Sequence, residues 1–299
     1  MSFALLLPVF LLAGLGAMLA RLPWLRIGWH VGVTEVTAKF LVPALLFVST
    51  YRTGIPPSLS WKMLCAFYLP LAVLFAASRL MARQGGNGAA TALAATYSNT
   101  VFVGLPVLLQ VLGKGSLQFA YPVIAFHSLF CFSLYHLGDD HAPSGWLGPV
   151  RSAMTNPIVV ALLLGLALNL VGVELPGALL RMLDMLGGAA LPCALLSLGA
   201  SVASLTPGSW ARTGAIVLGK LVLLPLGVMA LSVFVFHLPM APTVALVVLA
   251  SCPVGLNAAF VVNPAGGGAQ LVSSAILLST LLCAATMPAW LWMLRHLGQ

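Results

Sequence analysis

Apolar stretches of membrane-crossing length follow one another along almost the whole chain, separated by links of only a few residues, and this feature excludes most folds. A soluble domain carries about a quarter charged residues, because its surface meets water everywhere. Here 13 Lys+Arg and 5 Asp+Glu, 6% of 299 residues, would have to cover that surface, while 61% of the chain is hydrophobic. The sequence therefore predicts an all-α polytopic membrane protein with no soluble domain. About 20 apolar helical residues cross the hydrocarbon core. Runs bounded by charge, Gly or Pro give ten expected transmembrane helices, near 3–21, 34–51, 61–82, 88–111, 116–137, 153–171, 176–204, 210–236, 240–262 and 269–294.

The formal net charge of +8 does not point to nucleic acid, because the basic residues are scattered singly and form no patch that could track phosphates. They read as loop charges. Cys65, Cys131, Cys193, Cys252 and Cys283 each lie in an apolar run and never at CxxC spacing, which excludes a disulfide framework and a metal site. No GxSxG, HExxH or Walker loop is present, so no enzyme chemistry is expected. The first run, from Phe3 to Ala20, has no basic region before it and is followed by further spans, so it reads as helix 1 and not as a secretory signal.

The longest polar link, residues 138–152 (GDDHAPSGWLGPVRS), divides the chain into residues 1–137 and 153–299, with five expected spans on each side. Two similar halves with an odd span count insert with opposite orientation. Sliding the chain on itself so that Pro8 falls on Pro157 also lays Gly16 on Gly165, Pro43 on Pro192 and Trp61 on Trp210. Context agrees too: LVPALLF (Leu41 to Phe47) faces ALPCALL (Ala190 to Leu196), and both tryptophans open the third helix of a half. The reading is a 5+5 inverted repeat. With the N-terminus outside, Arg21, Arg26, Arg79, Arg83, Arg151 and Arg212 fall inside, against Arg52, Lys62, Lys114 and Arg295 outside. Positive charge favours the inside, so both termini are expected outside and the central link in the cytoplasm.

A membrane helix is interrupted only where protein or a water-filled cavity covers the freed backbone. Helix 4 reads TYSNTVFVGLPVLL, with Asn99, Thr100, Gly104 and Pro106; helix 9 reads VLASCPVGLNAAFVV, with Pro253, Gly255 and Asn257. The same superposition lays Gly104 on Pro253 and Pro106 on Gly255. Proline removes one N–H and displaces a carbonyl, and glycine lets the chain unwind. Two broken helices crossing there would present helix N-termini to an anion and carbonyls to a cation or proton carrier. Asn99 and Asn257 both donate and accept, which suits a carboxylate. Pro43 and Pro192 interrupt helices 2 and 7 in the same way, and Ser49, Thr50 and Ser197 beyond them either line a cavity or back-bond within their own helix.

Ionisable residues inside spans are functional candidates. His127 in helix 5 is the candidate titrating group, against a hydrogen-bonded structural role. Glu35 with Lys39, and Arg181 with Asp184, read as interfacial ion pairs at helical spacing. Lys220 either supplies positive charge to an anion or snorkels.

The stretches LVPALLF, YSNTVFVGLPVLLQVLG (Tyr97 to Gly113), NPIVVALLLGLALN (Asn156 to Asn169) and LPGALLRMLDMLGGAALPCALLSLGASV (Leu175 to Val202) resemble the auxin efflux carrier family, which includes bacterial permeases of the malonate carrier type. The resemblance implies ten helices as a 5+5 inverted repeat, with helices 4 and 9 broken and crossing at the transport site. It also implies a scaffold half, a mobile transport half moving as a rigid body, a homodimer, and residence in a bacterial inner membrane. Its substrate site maps onto Asn99 and, beyond it, Ser49 and His127. The family is similar to sodium and bile acid symporters, whose sodium sites use an acid and a glutamine on helix 9. Here helix 9 carries no acid, which argues against sodium and leaves proton coupling open. The expected function is secondary transport of a small organic anion such as malonate. A bile-acid-type sodium symporter and a non-transporting sensor of the same fold are the alternatives.

Overall fold

A computed structural model describes residues 7–23, 25, 28–53, 60–82, 87–138, 155, 157–203, 210–262 and 268–297. The central link beyond Gly138 and the loop arginines Arg26, Arg83 and Arg151 lie outside the described residues. Most of the described residues are helical. α1 covers Leu7–Leu19; α2 covers Trp29–Val36 and, through a π turn at Thr37–Leu41, Val42–Thr53; α3 covers Trp61–Ala82. The fourth helix comes in two pieces, α4a at Gly88–Thr96 and α4b at Thr100–Gly104 with Leu105–Leu112. α5 is Leu117–Gly138, α6 Pro157–Val171 and α7 Gly177–Ala203. α8 runs from Trp210–Leu218 through Gly219–Leu223, Leu224–Ala230 and Leu231–Val235; α9a is Met240–Ala250, α9b Ala258–Val261, and α10 Gly268–Leu297. Among the described residues, six helical stretches are long and apolar enough to cross a bilayer, and four further apolar helices are shorter.

Large apolar side chains face outward on these helices, among them Leu11, Phe40, Val73, Val171 and Phe234, all more than half exposed. Water would penalise that surface and lipid does not. Inside, the burial is nearly complete along α4a and α9a, where Ala92–Thr96 and Ala245–Ala250 are all buried.

The helices sort into two groups by what they pack against. α1 packs on α7, α7 on α2 and α2 on α6, and α3, α4, α5, α8, α9 and α10 form the other group. In the first group backbones approach closely over small residues. A side chain at Gly16 of α1 would strike the Leu196 backbone of α7, one at Gly199 of α7 the Ala13 backbone of α1, and one at Gly165 of α6 the Phe47 carbonyl of α2. Such contacts let dispersion, the main attraction between helices in lipid, act over a short distance. Arg52 at the end of α2 reaches across to Asp184 of α7 in a two-pronged ion pair at 2.7 and 3.1 Å. The expected pairing of Asp184 with Arg181 is thus overturned: the carboxylate takes the partner on the neighbouring helix, whose guanidinium fork matches both oxygens. Glu35 and Lys39 pair as expected.

Proline acts through the turn before it. Three π turns, Thr37–Leu41, Thr100–Gly104 and Gly219–Leu223, are followed by Pro43, Pro106 and Pro225. Proline offers no N–H to the carbonyl four residues back and pushes that carbonyl aside, so the turn widens and the helix continues. Before Pro225 the displaced carbonyl, Leu221, is satisfied by the Trp290 indole at 2.8 Å. Pro43 therefore does not break α2, and α7 runs unbroken through Pro192. The expectation of breaks at these two positions is corrected.

Candidate functional site

α4a is a run of small residues that packs into the interior and stops at Thr96, whose hydroxyl bonds back to Ala92 at 2.7 Å. Tyr97 is extended, and the chain resumes as helix only at Thr100. α9a stops at Ala250 and helix resumes at Ala258, so Pro253, Gly255 and Asn257 all fall at this second break. The break in helix 4 instead lies before Gly104 and Pro106, which belong to the resumed helix. The letter-by-letter superposition of Gly104 on Pro253 is out of step with the breaks themselves.

The two breaks lie against each other, Ser98 opposite Val254 in an isolated antiparallel bridge. Asn99 N–H donates to the Pro253 carbonyl at 2.8 Å, and Gly255 N–H to the Tyr97 carbonyl at 3.1 Å. Two further amides at the junction find side chains: Ser98 N–H donates to His127 Nε2 at 2.8 Å and Val254 N–H to Ser279 Oγ at 3.0 Å. Each buried amide left unpaired would cost about 1–3 kcal/mol, so these four bonds decide whether the interruption is tolerated. Gly255 is required because the Tyr97 ring lies where its side chain would be; at Gly104 a side chain would meet the flexible end of Leu249 at 2.8 Å.

Asn99 is buried and has two jobs at two ends of its amide. Its Oδ1 accepts from Phe102 N–H at 3.1 Å, capping α4b. Among the described residues its Nδ2 has no partner, and the neighbouring Ser98 hydroxyl is equally unpaired. An amide NH₂ buried without an acceptor is costly. Both residues line a small cavity of about 50 Å³. The same cavity is bounded by Tyr97, Thr100, Ser128, Gly255 and Asn257 from the broken helices and α5, and by Ala38 of α2 and Ile158 of α6. It therefore lies where the two helix groups meet, and none of the described lining residues is charged. A second, larger and mostly apolar cavity, walled by Leu74, Ser78, Asn87, Arg212 and Leu223, is away from the breaks.

Of the expected site residues, Asn99, Thr100 and Asn257 come together around the cavity. Asn257 is exposed at its rim, starts α9b without capping it, and bonds toward the Tyr97 phenol, which also bonds Ser128 at 3.0 Å. His127 does not line the cavity. It sits behind Tyr97, stacked on that ring at 5.1 Å, with Nε2 occupied by Ser98 and Nδ1 toward Cys131. Because Nε2 accepts, the ring is the neutral tautomer with its proton on Nδ1. Ser49 is half-buried on α2 and is not a lining residue. Thr50 and Ser197 back-bond to Leu46 at 2.9 Å and Cys193 at 2.7 Å. Lys220 does not snorkel but is wholly buried. Sequence reasoning missed Tyr97, Ser98, Ser128 and Ser279; the first two adjoin Asn99 and were within reach, whereas nothing local distinguishes Ser279 from the other serines of α10.

A lipid-facing helical bundle with two interrupted interior helices and a small polar cavity at the interruption has the build of a membrane transporter. The profile of the family described as Membrane transport protein matches residues 149–291. A relative from Rhizobium meliloti (strain 1021), named "Putative malonate transporter", is 30% identical over 315 residues, covering 97% of this chain and 95% of its own. An "Uncharacterized transporter" from Methanothermobacter thermautotrophicus is 26% identical over 264 residues, covering 86% of this chain and 87% of its own. The chain belongs to this membrane transport protein family, the auxin efflux carriers.

Proposed function

We propose that the protein is a secondary carrier for small organic anions, with a carboxylate bound at the crossing of helices 4 and 9. The observation that carries this reading is the Asn99 amide: a buried donor without a partner among the described residues, at the start of α4b, facing a cavity. A carboxylate oxygen there would accept from Nδ2 and gain about 1.5–3 kcal/mol for a charge-assisted bond. The positive end of α4b adds up to about 1–2 kcal/mol in a partly buried setting. Asn257 closes the rim and contributes through its own amide. α9b is a single turn, so the dipole contribution comes from α4b alone.

Malonate is the leading substrate, on the name of the Rhizobium relative and on the cavity's size. A space of about 50 Å³ suits a three-carbon diacid better than a steroid, which disfavours the bile-acid alternative. In this reading the ten helices form two inverted five-helix repeats, residues 1–137 and 153–299, joined by the cytoplasmic link 138–152, with both termini outside. The mutual docking of α1 on α7 and α6 on α2 through Gly16, Gly199 and Gly165 supports the repeat. The group α1, α2, α6 and α7 is the scaffold, the other group moves against it as a rigid body, and the cavity between them alternates its access. The carrier acts as a homodimer in a bacterial inner membrane. The absence of an output domain among the described residues gives the sensor reading no support.

Purified protein in liposomes preloaded with malonate is expected to accumulate labelled malonate by counterflow, and excess unlabelled malonate to compete. Failure to exchange malonate or other small mono- and dicarboxylates would remove the carrier assignment.

A further inference from the structure

Lys220 lies inside the span Arg212–Val235 and is wholly buried, so its ammonium reaches neither interface. The π turn Gly219–Leu223 carries it inward, where Nζ donates to the Ala250 carbonyl at 2.6 Å. That carbonyl is the last of α9a. Its ordinary partner four residues on, the Val254 amide, is already spent on Ser279. The break thus leaves an acceptor at the negative end of the α9a dipole, and the lysine fills it.

The titratable groups in electrostatic range of this ammonium are the buried thiols of Cys131, Cys252 and Cys283 and the neutral His127. No described carboxylate is among them: Glu35 and Asp184 are paired elsewhere at exposed positions, and Glu174 is exposed in the link between α6 and α7. A buried cation without a counter-ion is expensive in a bilayer and is retained where it has a task. In carriers with interrupted helices, the carbonyls freed at the C-terminal end of a half-helix are where a coupling cation binds.

We infer that Lys220 is a tethered cation that occupies this position at the end of α9a, so that the helix 9 break is held together without an alkali ion. It is a positioning residue, acting on the anion through the geometry of the break. The inference rests on the carrier reading for its transport arm and is independent of it for its stability arm.

Lys220→Ala removes the ammonium and leaves a hole; Lys220→Met fills the hole without charge. Thermal unfolding of the purified proteins is measured in methylammonium, sodium or choline chloride. Methylammonium or sodium is expected to raise the melting temperature of Lys220→Ala, choline is not, and neither wild type nor Lys220→Met should respond. In proteoliposomes wild-type malonate exchange is expected to be the same in sodium and choline media. Both variants should lose about tenfold or more, the size of one charge-assisted hydrogen bond, and methylammonium should restore a part only in Lys220→Ala. Stimulation of the wild type by sodium, wild-type exchange by Lys220→Met, or a folded Lys220→Ala indifferent to small cations would each overturn the inference. If Lys220→Ala does not fold, the wild-type and Lys220→Met arms decide. Should the wild type exchange no anion, the carrier reading fails while the melting arm still decides this one.

Discussion

The two interrupted helices solve the same problem with unlike parts. In helix 4 the interruption is short, Tyr97–Asn99, and the chain restarts as a long helix capped by Asn99. In helix 9 it runs over Ser251–Asn257, and the restart is a single uncapped turn. Each break leaves a donor that a side chain of the following helix meets, Ser98 N–H with the His127 imidazole and Val254 N–H with the Ser279 hydroxyl; the helix 9 break also leaves an acceptor, the Ala250 carbonyl, and the donor Lys220 meets it. Matching pieces would have made two similar half-sites. In the proposed reading this pair makes one side whose helix dipole and amide donor would hold an anion, and one side held together by the Lys220 ammonium. The difference teaches that the symmetry suggested by the letters reaches the two bridging amides and ends at the caps and at the freed Ala250 carbonyl.

That contrast can be broken by mutation, and the largest effect should come from the helix 9 side. Gly255→Ala forces the Tyr97 ring out of its stack on His127 and is expected to destabilise by about 3 kcal/mol with loss of exchange. Gly104→Ala meets only a movable Leu249 methyl and should cost about 1 kcal/mol; melting curves of the two variants rank them directly. Between these two falls His127→Phe, which keeps the ring stack but leaves the Ser98 amide unpaired, for about 2 kcal/mol. Restoration by His127→Gln, which returns an acceptor, would show that hydrogen bonding and not a proton relay is its role. Smallest is the link between α2 and α7: a double-mutant cycle on Arg52→Ala and Asp184→Ala should give a coupling below about 1 kcal/mol, since both groups are half-exposed. A coupling several times larger would mean that this pair locks the scaffold.

The helical, lipid-embedded class was legible because it follows from charge scarcity and run length alone. Pro253, Gly255 and Asn257 were legible as a break because the missing proline N–H falls where α9a ends. In helix 4 the same reading misplaced the interruption onto Gly104 and Pro106. A proline's demand can be absorbed by widening one turn, as before Pro43, Pro106 and Pro225, whereas a break needs acceptors from elsewhere in the chain. Those acceptors, His127 and the Pro253 carbonyl, are long-range and leave no local trace. Lys220 read either as positive charge for an anion or as a snorkelling lysine, and its place was not legible for the same reason: its partner is a carbonyl freed thirty residues away in α9a.

The central claim is that the free Nδ2 of Asn99 holds the substrate carboxylate, and Asn99→Asp isolates it. The aspartate keeps the oxygen that caps α4b, favoured by the helix dipole, but exchanges the donor for negative charge. Malonate titrated calorimetrically into the purified variant should show binding weakened by about a hundredfold or more relative to wild type, while the melting temperature without ligand stays near that of wild type. Wild-type malonate affinity in Asn99→Asp would contradict the account, because no carboxylate could then be resting on that amide.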